Sequence, residues 1–292
     1  MTPGRIQVVA HDPGWIDAFE LARSGLAAVL APWMVAIEHI GSTSVPGLAA
    51  KPIIDIQVGI RSLVDGPAVI EAAESVGYEY RPEHEVEIPD RRFFRRNRDG
   101  VRTHHLHVVE RSNLDWWDRH VAFRDWLLTH PADCDRYAAL KQRLAAEYLD
   151  DRRGYTDAKT AFVQEIERRA LGARTQVGRL QPGEWLGHPV DVVIDRPLGS
   201  VHPLHGFRYP VNYGYVPGHI AADGEGLDAY VLGPTSPLRA FRGEVIAVVL
   251  RRDDVEDKLV VGVAGTWDAE SVTQAIAFQE QFFDSSVVIG SD

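Results

Sequence analysis

A chain of 292 residues is long enough to bury two separate cores, and 45% hydrophobic with 25% charged residues excludes a disordered chain. Its formal net charge of −11 argues against general nucleic-acid binding, which needs a basic surface. The single cysteine, Cys134, cannot close an internal disulfide, and no cysteine–histidine zinc spacing is present. The first residues lack a signal peptide's apolar stretch and no apolar run is long enough to span a bilayer, so a cytoplasmic protein without membrane contact is expected.

In chain order, Pro13-Gly14 precedes a helical pattern over 15–30 with Ile16, Phe19, Leu21 and Leu26 among its apolar positions. A strand at 35–39, a small-residue loop at 41–47 and a strand at 53–58 follow, then a helix over 66–76. Segments 92–97 and 101–109 are predicted to form a hairpin, because Asp99-Gly100 supplies the positive φ angles of a tight turn. Helices are expected at 114–128, 132–148 and 156–171, broken at His130-Pro131 and at Arg153-Gly154. This half is an α/β domain over 1–172.

The pattern then changes. Residues 172–178 carry no apolar periodicity and are expected to link the first domain to a second at 179–292. Short strands at 189–194, 208–216, 229–232, 242–250 and 259–264, separated by proline and glycine turns, predict a small β-barrel. One helix closes the chain from the N-cap Asp268 to about residue 283, with Val272, Ala275, Ile276 and Phe283 on its buried stripe.

The most informative stretch is residues 209–230, YPVNYGYVPGHIAADGEGLDAY, which places Asp223, Glu225 and Asp228 on a glycine-rich turn after a tyrosine-lined strand. Like charges about 4 Å apart repel by roughly 4 kcal/mol at an effective dielectric near 20, so a fold that gathers them usually binds cations there. Hard oxygen ligands select Mg²⁺ or Ca²⁺. A second acidic group, Asp253, Asp254, Glu256 and Asp257, runs into Lys258. The plainer readings are a polar turn and a solvated hairpin tip.

Residues 209–230, the VIDRPLGS run at 193–200 with His202-Pro203, and the 253–258 cluster resemble the soluble family I inorganic pyrophosphatases over roughly 180–285. The resemblance implies an OB-like barrel, Mg²⁺ as cofactor and pyrophosphate or a related phosphoanhydride as substrate. It implies Asp223 and Asp228 as metal ligands, with the third carboxylate left open between Glu256 and Asp257. Tyr213 becomes a phosphate contact and Lys258 a leaving-group contact. Glu225 would orient water or act as general base, and Arg196 and Arg208 are further phosphate candidates.

In the first half, HIGSTSVPGLAAKPIIDI at 39–56, Leu106-His-Val-Val-Glu110, Phe123-Arg-Asp-Trp126 and Leu140-Lys141 resemble the GrpB family, which implies a nucleotidyltransferase-like fold over 5–171. Ser42 would let a triphosphate approach the backbone and Asp55 would hold Mg²⁺, with a nucleotide as a possible ligand. The second carboxylate expected two residues on is Gln57, leaving Glu110 or Glu87 to complete the site. His105 and His107 share a strand face and offer a phosphate or metal pair, or simply a polar sheet face. The arginines at 91–102 grip an anion or are solvated, and Trp116, Trp117 and Trp126 are helix packing. The leading expectation is Mg²⁺-dependent pyrophosphate hydrolysis by the second domain. The alternatives are nucleotidyl or phosphoryl transfer by the first, with pyrophosphate removal coupled in the same chain, and two non-catalytic binders of nucleotide or polyphosphate.

Overall fold

The computed structural model describes residues 6–202, 206–263 and 267–290. Residues 1–5, Pro203 of the second-domain motif and Ala264 at the end of the last expected barrel strand lie outside the described residues. The chain divides into two compact units, Met1–Leu171 and Gly172–Asp292.

The first unit opens with α1 (Gly14–Leu30), β1 (Met34–Ile40), β2 (Ile54–Ile60), α2 (Gly66–Ser75), β3 (Glu79–Tyr80), β4 (Arg91–Arg98) and β5 (Val101–Glu110). Helices α3 (Leu114–Thr129), α4 (Pro131–Glu147) and α5 (Arg152–Gly172) follow. The sheet runs β1-β2-β5-β4-β3, with β2 and β5 parallel and the other pairs antiparallel. Trp15, Phe19, Ala22, Leu26 and Leu30 recur at three- and four-residue spacing along α1, forming one stripe. That stripe packs on Ile54, Ile56, Val58 and Ile60, one face of β2. Strand alternation sends Asp55, Gln57 and Gly59 to the opposite face.

The hairpin turn at Asp99 and Gly100 has φ of 51° and 74°, the geometry its composition predicts. The break between α4 and α5 falls before Arg152, not at Arg153-Gly154. Asp151 Oδ1 accepts the Gly154 N–H at 2.9 Å, capping the new helix. A Cβ on Gly154 would come within 2.6 Å of the Tyr148 ring, so this glycine serves packing inside the first turn and breaks nothing.

Lys141 on α4 is 2% exposed and donates to the Ala49 carbonyl at 2.5 Å, pinning the loop before β2. Burial pushes its ammonium down from 10.5 to about 7. Below about pH 7 the group is charged in both folded and unfolded chains, and the full cost of burying the charge opposes folding. As pH rises from 7 to 10.5 the unfolded chain keeps a proton the folded chain has lost, and that cost fades. The stability of the native chain relative to Lys141→Met should therefore rise with pH across this window, by at most about 1.4 kcal/mol per pH unit. Urea denaturation of both proteins at a series of pH values checks this, and parallel curves would dismiss it.

The second unit comprises β6 (Thr175–Gln176), α6 (Pro182–Trp185), β7 (Pro189–Arg196), β8 (Asn212–Ile220), β9 (Gly226–Val231), β10 (Ala240–Arg251), β11 (Lys258–Gly262), α7 (Ala269–Glu280) and β12 (Ser285–Ile289). Pairing runs β7–β8–β9–β11–β10 and returns to β7, closing a five-stranded barrel. Val192, Ile194, Leu227, Ala229, Val231, Leu259 and Val261 fill one core, while Tyr213, Tyr230 and Val260 share another with Val272 and Ile276 of α7. Gly214 is required where β8 meets β7, since a Cβ there would run into the Val193 carbonyl.

Two expectations change here. Part of the 172–178 linker is strand, because Thr175 and Gln176 pair in parallel with His219 and Ile220 of β8. The helix is not the last element: β12 follows it and pairs with β10. Asp268 does cap α7, in a reciprocal box with Ser271. The helix ends at Glu280, and the Phe283 ring instead lies under the Arg251 guanidinium, 3.6 Å from its centroid. Among the described residues no helix is long and apolar enough to cross a membrane.

Candidate functional site

In the second unit, alternation along β9 puts Leu227, Ala229 and Val231 in the barrel core and Asp228 on the face of Tyr230. Parallel pairing of β9 with β11, Leu259 opposite Ala229, brings Lys258 beside Asp228. The 1% exposed Lys258 donates from Nζ to Asp228 Oδ2 at 2.5 Å, Glu256 Oε2 at 2.9 Å and Tyr213 Oη at 2.8 Å. Tyr213 in turn donates to Asp228.

The carboxyls of Asp228 and Glu256 hydrogen-bond each other. Burial, then the Asp228 charge, pushes Glu256 up to about 8. Burial works to raise Asp228 too, but Lys258 and its hydrogen bonds outweigh it and hold that carboxyl below its ordinary range. Lys258 is held above its usual value, the two carboxylates overcoming burial, and burial followed by Asp228 raises Tyr213. Two carboxyls, an ammonium and a phenol thus meet on a single face.

Other expected residues are placed elsewhere. Asp257, a rival to Glu256 for the metal, is buried and taken up by the fold: it accepts from Arg179 Nη1 at 2.8 Å, the Leu180 N–H at 2.9 Å and the Arg251 N–H at 3.0 Å. Asp254 pairs with Arg251 at 2.9 Å, and Asp253 accepts the Asp284 N–H at 3.0 Å. Asp223 and Glu225 stand exposed on the β8–β9 turn, where Asp223 Oδ1 accepts the Glu225 N–H at 2.9 Å. The expected three-carboxylate cluster around Asp228 is therefore not assembled among the described residues. Arg196 pairs with Asp195 at 3.2 Å and bonds Tyr209, while Arg208 is exposed and donates to the Gly199 carbonyl at 2.8 Å. Asn212 of the motif is a fully buried clamp: Oδ1 accepts from the N–H groups of Leu198 and Leu238, and Nδ2 donates to Ser236, each at 3.0 Å.

In the first unit the polar sheet face carries Asp55 and Gln57 on β2 opposite His105 and His107 on β5. His105 Nδ1 lies 2.9 Å from Asp55 Oδ1. One ligand atom from each of Asp55, His105 and His107 falls within 4.8 Å of the others, the one such group of three among the described residues. Burial, then Arg91, drives His107 well below its ordinary value. Gly41, with φ of 71°, passes so close that a Cβ would sit 2.6 Å from Asp55 Oδ2. Ser42 bonds Tyr137.

Neither acid expected to complete this site does so as a ligand beside Asp55. Glu110 Oε1 accepts the Leu63 N–H at 2.7 Å and the Ser62 hydroxyl at 3.2 Å, and Glu87 is exposed. Gln57 is fully buried and its Nε2 lies 3.4 Å from the Trp117 carbonyl. Sequence reasoning missed two neighbours. Arg91 is 8% exposed, its Nη1 3.4 Å from His107 Nδ1, and so is no solvated arginine. The Trp116 ring, expected to be mere helix packing, lies between His107 and His120, 6.0 and 4.5 Å from their centroids. Trp117 is packed against Gly59, and Trp126 donates to Asp133 at 2.8 Å.

Compared with known proteins, residues 5–169 match the family model described as GrpB protein. The chain is 36% identical over 166 residues to protein YqkA of Bacillus subtilis, covering 57% of this chain and 47% of YqkA, so the match spans about half of that relative. It is 36% identical over 167 residues to the glutamate-rich protein GrpB of Alkalihalophilus pseudofirmus, covering 56% of this chain and 94% of that one. The solved structure of GrpB from Enterococcus faecalis is similar at 37% identity and a TM-score of 0.52, covering 56% of this chain and 96% of that one. An inorganic pyrophosphatase from Ehrlichia chaffeensis is similar at 15% identity and a TM-score of 0.30, covering 39% of this chain and 90% of that one.

Proposed function

The chain belongs to the GrpB family through residues 5–169, and beside that family domain we propose that the second unit is a Mg²⁺-dependent hydrolase of pyrophosphate acting in the cytoplasm. The observation that carries the proposal is Lys258, buried between Asp228 and Glu256 with the Tyr213 hydroxyl in reach. A lysine and a phenol are donors suited to the oxygens of a leaving phosphate, whose charge grows in the transition state.

The donor set fits the metal. Asp228 and Glu256 are oxygen ligands in hydrogen-bond contact, and a hard divalent cation suits that pair. These two residues would hold Mg²⁺, and the ion would neutralise charge on the phosphate oxygens. Glu225 on the β8–β9 turn orients the attacking water or takes its proton. Arg196 and Arg208 supply further contacts to the anion.

Phosphate release from pyrophosphate by the full chain, with and without Mg²⁺, tests this reading. The expected result is Mg²⁺-dependent release that Asp228→Asn lowers by about a hundredfold or more. No release above background in Mg²⁺, or an equally active variant, would end it. Coupled nucleotidyl transfer in the first unit needs a second carboxylate beside Asp55, and the buried Gln57 and the engaged Glu110 weigh against that alternative.

A further inference from the structure

The first unit carries a cluster that pyrophosphate hydrolysis does not use. Parallel pairing of β2 with β5 sets Asp55 opposite His105 and Gln57 opposite His107, so these four side chains share one face. A carboxylate accepts, so His105 Nδ1 carries the proton in its 2.9 Å bond to Asp55 Oδ1. The lone pair is then on His105 Nε2, which is buried and has no hydrogen-bond partner. A carboxylate that fixes one imidazole nitrogen and frees the other is the arrangement that orients histidines toward metals. The fully buried Gln57 adds a second orphan on the same face, Oε1.

We infer that His105 and His107 ligate a single borderline divalent cation of the Zn²⁺ class, with Asp55 holding His105 from the far side of its ring. Imidazole ligands, one of them backed by a carboxylate, suit Zn²⁺ and its neighbours, whereas Mg²⁺ demands oxygen ligands in octahedral array. The site thus differs in chemistry from the Mg²⁺ pair proposed for the second unit. Replacing the expected second carboxylate by Gln57 is consistent with this exchange, because the charge and ligand supply move from i+2 on β2 to the neighbouring strand. Arg91 opposes the ion, its Nη1 lying 3.4 Å from His107 Nδ1. Its removal therefore acts in the direction opposite to removal of a ligand.

Titration of the full chain with ZnCl₂ in a large excess of MgCl₂ tests the inference. One Zn²⁺ should bind per chain and resist Mg²⁺. His105→Ala should weaken binding about 100-fold or more, and Asp228→Asn should leave it unchanged. Arg91→Gln should tighten it by about tenfold, since a repelling charge is gone. Displacement of Zn²⁺ by Mg²⁺, full binding by His105→Ala, loss in Asp228→Asn, or binding no tighter in Arg91→Gln would each overturn the assignment. Should a variant fail to fold, the ring ¹⁵N resonances of His105 and His107 in the native protein decide the matter. Both must move to metal-bound values on adding Zn²⁺, and unmoved resonances would overturn it.

Discussion

Lys258→Ala is expected to lower kcat for pyrophosphate by about 10²–10³, with KM changing far less. A charge set beside a leaving phosphate stabilises what grows in the transition state more than what exists in the bound substrate, so the loss falls on kcat. Lys258 is 1% exposed and its ammonium meets Asp228, Glu256 and Tyr213 together. Its removal also leaves two adjacent carboxyl groups without their cation, and Mg²⁺ should then raise the melting temperature of the variant more than that of the native chain. A merely structural lysine would give a less stable protein with unchanged kcat in the folded fraction. Unaltered kcat, measured after circular dichroism has confirmed folding, would remove Lys258 from the reaction.

Arg251→Ala should destabilise the second unit by about 3–5 kcal/mol, the usual cost of stranding one partner of a buried ion pair. Arg251 is 2% exposed and grips Glu280 through two bonds, Nη2 to Oε1 at 2.6 Å and Nε to Oε2 at 3.0 Å. Tyr230 donates to the same Glu280 oxygen at 2.5 Å, and Arg251 Nη1 reaches Asp254 at 2.9 Å. The truncation leaves Glu280 buried with the Tyr230 hydroxyl but no cation, and takes the arginine from Asp254. In urea denaturation the loss should appear in one transition, that of residues 172–292. Arg251→Met combined with Glu280→Leu should recover most of it, because the desolvated charges leave together. A single variant within about 1 kcal/mol of the native chain would show that the pair contributes little net.

The local elements were legible because their signals are local. Asp99-Gly100 marks a hairpin by composition, Pro131 separates two helices, and Asp268 caps a third. Gly154 misled because a glycine in a helix pattern has two uses, stopping the chain and admitting a neighbour, and only the Tyr148 ring shows which applies. The acidic run 253–258 shows the same limit for the site. Its four carboxylates are nearly equivalent in sequence, yet Asp253 and Asp257 accept backbone N–H groups, Asp254 holds Arg251, and Glu256 alone of them bonds Asp228.

What the sequence determined by itself was periodicity and inventory: two cores, a tyrosine-lined strand, carboxylates within one turn, and histidines two residues apart on one strand face. Only the tertiary structure decided which side chains meet. Lys258 reaches Asp228 because β9 and β11 pair in parallel, a contact that no local pattern encodes. On the other sheet, a two-residue turn read at constant register would pair Arg92 with His107. A bulge between Arg96 and Asn97 shifts the pairing by one, setting Phe93 opposite His107 and Arg91 opposite Val109. A one-residue slip turns every side chain of a strand to the other face, so that bulge buries Arg91 beside the histidines and sends Phe94 into the apolar core.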